Sequence, residues 1–395
     1  MKFPILFSLF FFTLSGFSQK YKRIHRDAIV CDTHNDIIST CIERGYVFDT
    51  DLSGKTHSDL SRMLQGALDV QVFSIFCDGK QKDPFRFANR EIDTLYAWVN
   101  RNPSKMKLVT NPEELAKAIK QHRLASMIGV EGGHMIEDDL GKLDSLYTRG
   151  ARYMTLTWNN NPSWATSAEY ESGNQNATVT SSQKKGLNEF GKQVIKRMNE
   201  LGMMIDLSHT GEQTFWDAIH LSTKPILVSH SDAYALSPVF RNLKDDQIEA
   251  VAKNGGVIDL NFYPVFLDST IGAKEEAYFA KHKAEKKQLM DQGKKDFEAD
   301  AIIAKNYPQE AEELQAPFHW LFDHLAYIIK LAGIDHVGLG GDFDGIPFTP
   351  AVLTDVTKYP LITKELVKRG YSKKDIYKIL GGNFIRVFKI NQQKP

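Results

Sequence analysis

Histidines and acidic residues stand directly after several short apolar segments of this chain. Apolar segments of roughly four to eight residues are typical of buried strands. Imidazole and carboxylate groups, with no cysteine among them, suit zinc or a neighbouring divalent transition metal. The residues in these positions are His34 and Asp36 after residues 28–31, Glu131 after 125–130, His209 after 203–207, His230 after 225–228, and Asp342 with Asp344 after the run that ends at 341.

The spacing of these residues predicts two adjacent metal ions. His34 and Asp36 are two residues apart, so extended backbone would point both side chains to the same side and let them share one ion. His209 and His230 follow consecutive strands and could share a second ion, with Glu131 bridging the two. Two ions about 3.5–4 Å apart can hold a hydroxide between them and polarise a carbonyl group.

Asp342 is the candidate for acid–base chemistry, because hydrolysis also needs an unliganded carboxylate that takes up a proton and passes it to the leaving group. Asp344 is better explained as a turn or supporting residue beside Gly345, and His134 as a loop residue. A single histidine at a strand end is more often structural than a ligand. Five ligand-type residues at the ends of four segments are hard to explain by chance, so we interpret them as a metal site.

The elements that must position these residues alternate along the chain. Helical patterns with apolar faces lie between most of the predicted strands, as at residues 86–101. Eight strands separated by helices predict a (β/α)₈ TIM barrel, in which functional residues collect at the carboxyl ends of the strands. The predicted strands cover residues 28–31, 67–77, 125–130, 152–157, 203–207, 225–228, 256–261 and the run that ends at 341.

An open doubly wound sheet is the alternative fold. It would place a glycine-rich phosphate-binding turn after the first strand, where this chain has the sequence THND. Residues 264–316 interrupt the alternation, since they are charged, rich in Lys, Glu and Ala, and contain no plausible strand. We interpret them as a helical insertion between strands 7 and 8 that could act as a lid.

Composition and the N-terminal segment narrow the function classes. The formal net charge of zero gives no reason to expect nucleic acid or a membrane surface as a partner. Lys2 precedes a nearly uninterrupted apolar run at residues 3–14, which predicts a signal peptide over residues 1–18 and export to the periplasm or the medium. A retained anchor is the alternative, but a membrane-spanning helix needs roughly twenty apolar residues.

Residues 19–395 are expected to form one domain, and its three cysteines are too few for a disulfide scaffold.

An ordered set of motifs resembles the membrane (renal) dipeptidase family, peptidase family M19. The motifs are CDTHNDI, IGVEGGH, RYMTLT, IDLSH, SHSDAY, FRN and GGDFDG, between about residues 27 and 388. The resemblance implies a barrel of the amidohydrolase type that holds two zinc ions. It implies His34 and Asp36 on one zinc ion, His209 and His230 on the other, and Glu131 bridging.

The resemblance also implies roles beyond metal binding. It implies Asp342 as the acid/base and Arg241 as a contact for the substrate carboxylate, a group that the planar guanidinium can bind with two hydrogen bonds. At one position the chain departs from the family, because the best-known members carry a substrate-contacting histidine after RYMTLT and this chain carries Trp158. An indole can only donate a hydrogen bond, so Trp158 is a substrate-binding candidate that would alter specificity or rate. The lipid-anchor signal of the mammalian members is missing, so no membrane anchor is expected.

These observations predict a zinc-dependent dipeptidase that acts through a metal-bridged hydroxide. The expected substrates are small dipeptides, and the resemblance allows a D-residue at the C-terminal position. A homodimer is the oligomeric state considered. One alternative is a metallohydrolase of the same fold that cleaves another amide, such as an N-acyl amino acid or a lactam; Trp158 keeps it open. The other alternative is a protein that binds the metals but has lost turnover.

Overall fold

The computed structural model describes residues 19–173, 183–294 and 296–393. Within these ranges nine parallel strands form one sheet, and eight of them follow one another in the order β1-β2-β4-β5-β6-β7-β8-β9. The predicted (β/α)₈ barrel is therefore confirmed. The signal peptide predicted at residues 1–18 lies outside the described residues. The strands are β1 (Cys31–Asp32), β2 (Val70–Phe76), β3 (Met106–Leu108), β4 (Leu124–Glu131), β5 (Ala151–Thr155), β6 (Met204–Asp206), β7 (Leu227–Val228), β8 (Val257–Leu260) and β9 (Val337–Leu339).

The first and last strands meet at the seam of the barrel. The backbone N–H of Thr33 donates to the carbonyl of Leu339 at 3.1 Å, and the N–H of Asp342 donates to the carbonyl of His34 at 3.1 Å. Asn35 and Phe343 also form a parallel bridge. These contacts join the two ends of the sheet just below the mouth of the barrel.

The ninth strand, β3, was not predicted from the sequence. It pairs with the first residues of β4, whereas β5 pairs with the last residues of the same strand. Three residues are too few to show a periodic pattern, and β3 lies off the path of the eight barrel strands.

Helices surround the barrel and carry apolar faces towards it. On α4 the buried residues include Ile92, Leu95 and Trp98, which share one face as the helical period requires. The described helices are α1 (19–27), α2 (Ile37–Arg44), α3 (Leu60–Gln65), α4 (Pro84–Arg101), α5 (Pro112–Lys120), α6 (Leu140–Thr148), α7 (Ala168–Glu171), α8 (Glu189–Leu201), α9 (Glu212–Leu221), α10 (Asp245–Asn254), α11 (Pro264–Leu267), α12 (Ser269–Asp291), α13 (Asp296–Asn306), α14 (Pro308–Glu312), α15 (Phe318–Ala332), α16 (Tyr359–Lys368), α17 (Lys373–Tyr377) and α18 (Asn383–Asn391).

Local sequence signals fix several helix ends. The side chain of Asn111 accepts a hydrogen bond from the N–H of Glu114 at the start of α5, and Pro112 occupies the first turn. Gly202 ends α8 in a left-handed conformation, with φ 81°. No helix in the described ranges combines the length and the apolar character needed to cross a membrane.

The insertion at residues 264–316 forms the four helices α11 to α14. Tyr278, Ile303 and Leu314 are buried in a small apolar cluster of their own. On the barrel side of α12, the carboxylate of Glu275 accepts a hydrogen bond from the hydroxyl of Tyr263, which follows β8. The insertion is thus attached to the loop that leaves one of the barrel strands.

One helix that the sequence predicts at residues 373–388 is divided in the structure. Its interruption falls at Gly381, where a Cβ atom would lie 2.5 Å from the sulfur of Cys31 and 2.6 Å from the carbonyl oxygen of Ile29. The close approach to β1 requires glycine and redirects the chain into α18. Cys31, Cys41 and Cys77 are all buried and free.

Candidate metal centre

The carboxyl ends of four strands bring the five predicted metal ligands together. Glu131 is the last residue of β4, while His34 and Asp36 follow β1, His209 follows β6 and His230 follows β7. All five side chains are buried, with at most 8% of their surface exposed. Because strand ends of a parallel barrel share one face, residues far apart in the sequence can converge there.

Glu131 lies between two groups of ligands. Its Oε2 is 3.3 Å from Nε2 of His34, and this nitrogen is 3.3 Å from Oδ2 of Asp36. Its Oε1 is 3.0 Å from Nε2 of His209 and 3.7 Å from Nε2 of His230. One carboxylate oxygen therefore faces each group, as a bridging ligand requires.

The oxygen partners of Nδ1 in His209 and His230 assign the ring hydrogen to Nδ1 and leave the two Nε2 atoms facing each other. Nδ1 of His209 donates to Oδ1 of Asn159 at 3.0 Å. Nδ1 of His230 donates to Oγ of Ser229 at 2.8 Å, because that hydroxyl gives its own hydrogen to Asp206 at 2.6 Å. Burial lowers the pKa of His209 to about 4 and that of His230 well below its ordinary value. A neutral imidazole carries one hydrogen, so two lone pairs face each other across 2.9 Å and favour a cation beside them.

His34 is oriented by Tyr153. Nδ1 of His34 donates to the hydroxyl of Tyr153 at 3.1 Å, and this hydroxyl donates to the carbonyl of Thr33 at 3.0 Å. Burial lowers the pKa of His34, but Tyr153, Glu131 and Asp36 raise it by more, so that it lies well above its ordinary value. These neighbours favour a positive charge at Nε2, which either a proton or a metal ion can supply.

The donor set fits divalent metal ions. His34, Glu131 and His230 each offer one ligand atom, and these atoms lie within 4.8 Å of one another. Burial raises the pKa of Glu131, but the neighbouring imidazoles lower it well below its ordinary value, so the carboxylate is charged. Nε2 of His34 and Oδ1 of Asp36 are buried and have no hydrogen-bond partner in the described part of the chain. Unpartnered buried atoms are costly, and a bound cation would relieve that cost. The assignment of these residues as metal ligands stays a prediction.

Asp342 follows β9 and lies beside His34 and Asp36. One ligand atom from each of these three residues lies within 4.8 Å of the others. Oδ2 of Asp342 accepts a hydrogen bond from Nδ2 of Asn261 at 2.9 Å. Withdrawal from solvent raises the pKa of Asp342 to about 8; the charge of His34 opposes this rise and that of Asp36 adds to it. A carboxyl group that titrates near neutrality can both take up and release a proton.

The backbone at this mouth adopts unusual conformations. His209 has φ 62° and Asp342 has φ 56°, a left-handed region that residues other than glycine rarely occupy. A Cβ atom at Gly345 would overlap with Oδ2 of Asp36 and would lie 2.6 Å from Oδ1 of Asp342. Strained backbone of this kind clusters at functional sites.

Arg241 lies next to the ligands as a buried cation without an ion-pair partner among the described residues. Its side chain is 5% exposed, donates to the carbonyl of His230 at 3.1 Å and lies over the ring of Phe266 at 5.2 Å. Its Nε has no hydrogen-bond partner in the described ranges. Burial lowers the pKa of Arg241 to about 10, so the guanidinium stays charged at neutral pH. A buried charge of this kind is stabilised when an anion pairs with it.

A cavity of about 810 Å³ adjoins Arg241 and His209. Its walls come mainly from the loops that follow β5, β6, β7 and β8. Binding sites for small molecules typically measure roughly 300–1,000 Å³, so the cavity can hold a small substrate beside the ligand cluster.

Trp158 stands at a different part of the barrel mouth. It follows β5, is half-buried, and its ring lies 5.0 Å from that of Phe76 in an edge-to-face contact and 6.5 Å from that of His209. It does not belong to the lining of the cavity beside Arg241. The two predicted substrate-binding residues therefore approach the ligand cluster from different strands.

Sequence reasoning missed the residues that orient the histidines. Tyr153 lies within β5, and its ring occupies the space that a Cβ atom at Gly129 would need. Asp206 is a fully buried acid inside an apolar strand, a rare placement that signals a polar role. Ser229 directly precedes a predicted ligand, but nothing in the sequence points to Asn159.

Comparison with known proteins agrees with this fold and identifies the family. The family model for membrane dipeptidase (peptidase family M19) matches residues 18–394. The uncharacterized dipeptidase C965.12 of Schizosaccharomyces pombe is 32% identical over 390 residues, which cover 94% of this chain and 82% of that protein.

The probable dipeptidase PvdM of Pseudomonas aeruginosa has a similar structure, with a TM-score of 0.78, 24% identity, and coverage of 96% of this chain and 100% of that one. A metallo peptidase of Rhodobacter sphaeroides, solved with a phosphinate mimic of L-Ala-D-Ala, gives a TM-score of 0.72 at 22% identity, and the match covers 92% of this chain and 99% of that one. The two structural likenesses support the barrel fold, and the family match over nearly the whole chain shows that the protein is a metallo-dipeptidase of the membrane dipeptidase family, peptidase family M19.

Proposed function

We propose that this enzyme hydrolyses the peptide bond of dipeptides at a centre that holds two zinc ions. The observation that carries the proposal is the buried guanidinium of Arg241 beside the ligand cluster, which has no ion-pair partner among the residues that the structure describes. A dipeptide bound with its scissile carbonyl at the cluster has a free carboxylate one residue further on, and this carboxylate would supply the missing anion. A longer peptide has no carboxylate at that point and would leave the charge of Arg241 unpaired.

The five predicted ligands would hold the ions. His34 and Asp36 would bind one ion, His209 and His230 the other, and Glu131 would bridge them. When bound, two zinc ions would supply a hydroxide as the nucleophile and would polarise the carbonyl under attack. The facing lone pairs of the two histidines and the unpartnered oxygen of Asp36 support this assignment.

Asp342 would transfer the proton. Asn261 holds its Oδ2, which leaves Oδ1 to take the proton released when the attacking water ionises. The same proton then passes to the nitrogen of the scissile bond, because an amine leaves far more readily than its anion. The raised pKa of Asp342 supports this role.

Two assays test the proposed function. Dipeptides and their C-terminal amides should differ in kcat/KM by about 100-fold, because loss of a partner from a buried charged pair costs roughly 2–5 kcal/mol. Equal turnover of acid and amide would remove the role of Arg241.

The Asp342→Ala variant should lose hydrolysis while its zinc content, measured by atomic emission, stays unchanged. A loss of zinc in this variant would make Asp342 a ligand, and faster turnover of N-acyl amino acids or lactams than of dipeptides would assign a different substrate class.

We also propose that the protein is exported after removal of residues 1–18. The proposal rests on the positive start and the apolar run of that segment. Sequencing the N-terminus of protein recovered from the periplasmic or extracellular fraction should give a start at Gln19. A mature protein that retains its first residues would contradict it.

A further inference from the structure

Open space beside the ligand cluster lies mainly on the side formed by the ends of β5 to β8. The cavity of about 810 Å³ is bounded by residues that follow β5, β6, β7 and β8, and its described lining includes no residue from the ends of β1, β2 or β9. Arg241 lies in the wall of this cavity. A substrate carboxylate paired with Arg241 would therefore place the C-terminal residue of a dipeptide where the open space lies.

The walls next to Arg241 offer apolar surface. Phe266 lies under the guanidinium, and the ring of Tyr263 packs against it edge-to-face at 4.9 Å. Val239 and Phe240 line the same cavity, and 41% of the surface of Phe240 is exposed. Apolar and aromatic surface of this kind gains free energy when it contacts an apolar side chain.

The charged groups of the same cavity are engaged with the protein itself. Nζ of Lys244 lies 2.7 Å from Oε2 of Glu212. Nζ of Lys185 donates to the carbonyl of Glu171 at 3.0 Å. Each lysine thus already has a partner within the protein, and we assign the apolar wall next to Arg241 to the substrate side chain.

Towards the ends of β2 and β4, aromatic side chains occupy the space beside the cluster. Phe76 ends β2, Trp158 follows β5, and the two rings contact each other above the end of β4, whose last residue is Glu131. The N-terminal residue of a dipeptide held by Arg241 would meet this pair. Because the rings fill the position, only a small first side chain fits without displacing them.

We propose that the enzyme selects dipeptides with a small first residue and a large apolar second residue. The inference rests on the proposed function, because the pairing of the substrate carboxylate with Arg241 decides which residue enters the cavity. Trp158 is then a specificity-determining residue, and the aromatic surface around Phe266 forms the subsite for the second side chain.

A pair of isomeric substrates tests the inference on the unmodified zinc-loaded enzyme. Ala-Phe and Phe-Ala contain the same atoms and break the same kind of bond, so the ratio of their kcat/KM values reports only the order of the side chains. Since one misplaced methylene changes specificity by roughly 10- to 200-fold, we expect Ala-Phe to be preferred at least about tenfold. Equal values, or a preference for Phe-Ala, would overturn the inference while leaving dipeptidase activity in place. Failure to hydrolyse Ala-Phe, Phe-Ala and Ala-Ala would instead refute the proposed function.

Variants assign the preference to the two sides separately. Trp158→Ala should lower the ratio of Ala-Phe to Phe-Ala by opening the first position, and Trp158→His provides a smaller ring should the alanine variant misfold. Val239→Trp should lower the ratio of Ala-Phe to Ala-Ala by filling the cavity. Trp320→Ala, on α15, is the matched control, because Trp320 does not line the cavity and its described ring contact is with His319; this variant should leave both ratios as in the unmodified enzyme. Ratios that respond to Trp320→Ala as they do to Trp158→Ala would show a general structural effect and overturn the assignment.

Discussion

Replacing Tyr153 with phenylalanine removes one oxygen atom from beneath the proposed zinc centre. The side chain is fully buried, and its hydroxyl accepts from Nδ1 of His34 and donates to the carbonyl of Thr33. A phenyl ring keeps the packing against Gly129 but leaves both of these groups unpaired. The change therefore tests the hydrogen bond and not the shape of the barrel interior.

Two separate magnitudes follow for Tyr153→Phe. A buried group that loses its hydrogen-bond partner costs about 1–3 kcal/mol, and this cost falls on the folded chain whether or not metal is bound. The second effect acts on His34, whose ring loses the contact that fixes its orientation and its tautomer. Loss of an outer partner of a metal ligand typically weakens metal binding about 10- to 100-fold.

Zinc affinity is measured by competition with a chromophoric chelator after the metal has been stripped. Tyr96→Phe is the matched control, because that hydroxyl donates to the carbonyl of Arg149 at 2.5 Å and does not contact the ligands. Both variants should lose stability, and only Tyr153→Phe should lose zinc affinity. Equal zinc affinities for Tyr153→Phe and the unmodified protein would refute the reasoning from the tautomer of His34.

Three further outcomes are expected. Gly345→Ala should lower kcat at least tenfold, because its methyl group would overlap with the carboxylate of Asp36. Unchanged kinetics would show that the loop after β9 can move to make room for the methyl group. His57, whose Nδ1 accepts from the N–H of Asp344, has a pKa lowered by burial to about 4, so the unfolded chain takes up the proton first as pH falls. Urea unfolding should therefore show stability falling by about 2 kcal/mol between roughly pH 6.5 and 4, with a weaker dependence in His57→Asn. Glu275→Ala should raise KM for dipeptides more than it lowers kcat, because it frees the hydroxyl of Tyr263 in the cavity wall. Glu276→Ala is the control, because Glu276 is the exposed neighbour of Glu275 on α12. Equal KM values for the two variants would contradict the prediction.

The barrel could be predicted from the sequence because its strands are short apolar runs separated by helical patterns. The candidate site could be predicted for the same reason, since the polar residues that end those runs are the ones that the fold brings together. β3 could not be predicted, because three residues carry no period and its pairing with β4 is a tertiary contact. The break at Gly381 likewise depends on the approach of Cys31, a residue from the opposite end of the chain.

The hydrogen-bond partners of the histidines could not be predicted from the sequence for a different reason. Tyr153 contacts His34 across the barrel interior, and Asp206 reaches His230 through Ser229. Which ring nitrogen carries the hydrogen follows from such contacts, and no spacing in the sequence encodes them.

The seam between β1 and β9 can close only after nearly the whole chain has been synthesised. Thr33 and Leu339 lie 306 residues apart, a distance that a ribosome covers in about 15–60 s at roughly 5–20 residues per second. Throughout that interval the nascent polypeptide carries His34 and Asp36 without the strand that brings Asp342 to them. An incomplete chain therefore lacks the proposed proton-transfer group, and we expect it to have no peptidase activity.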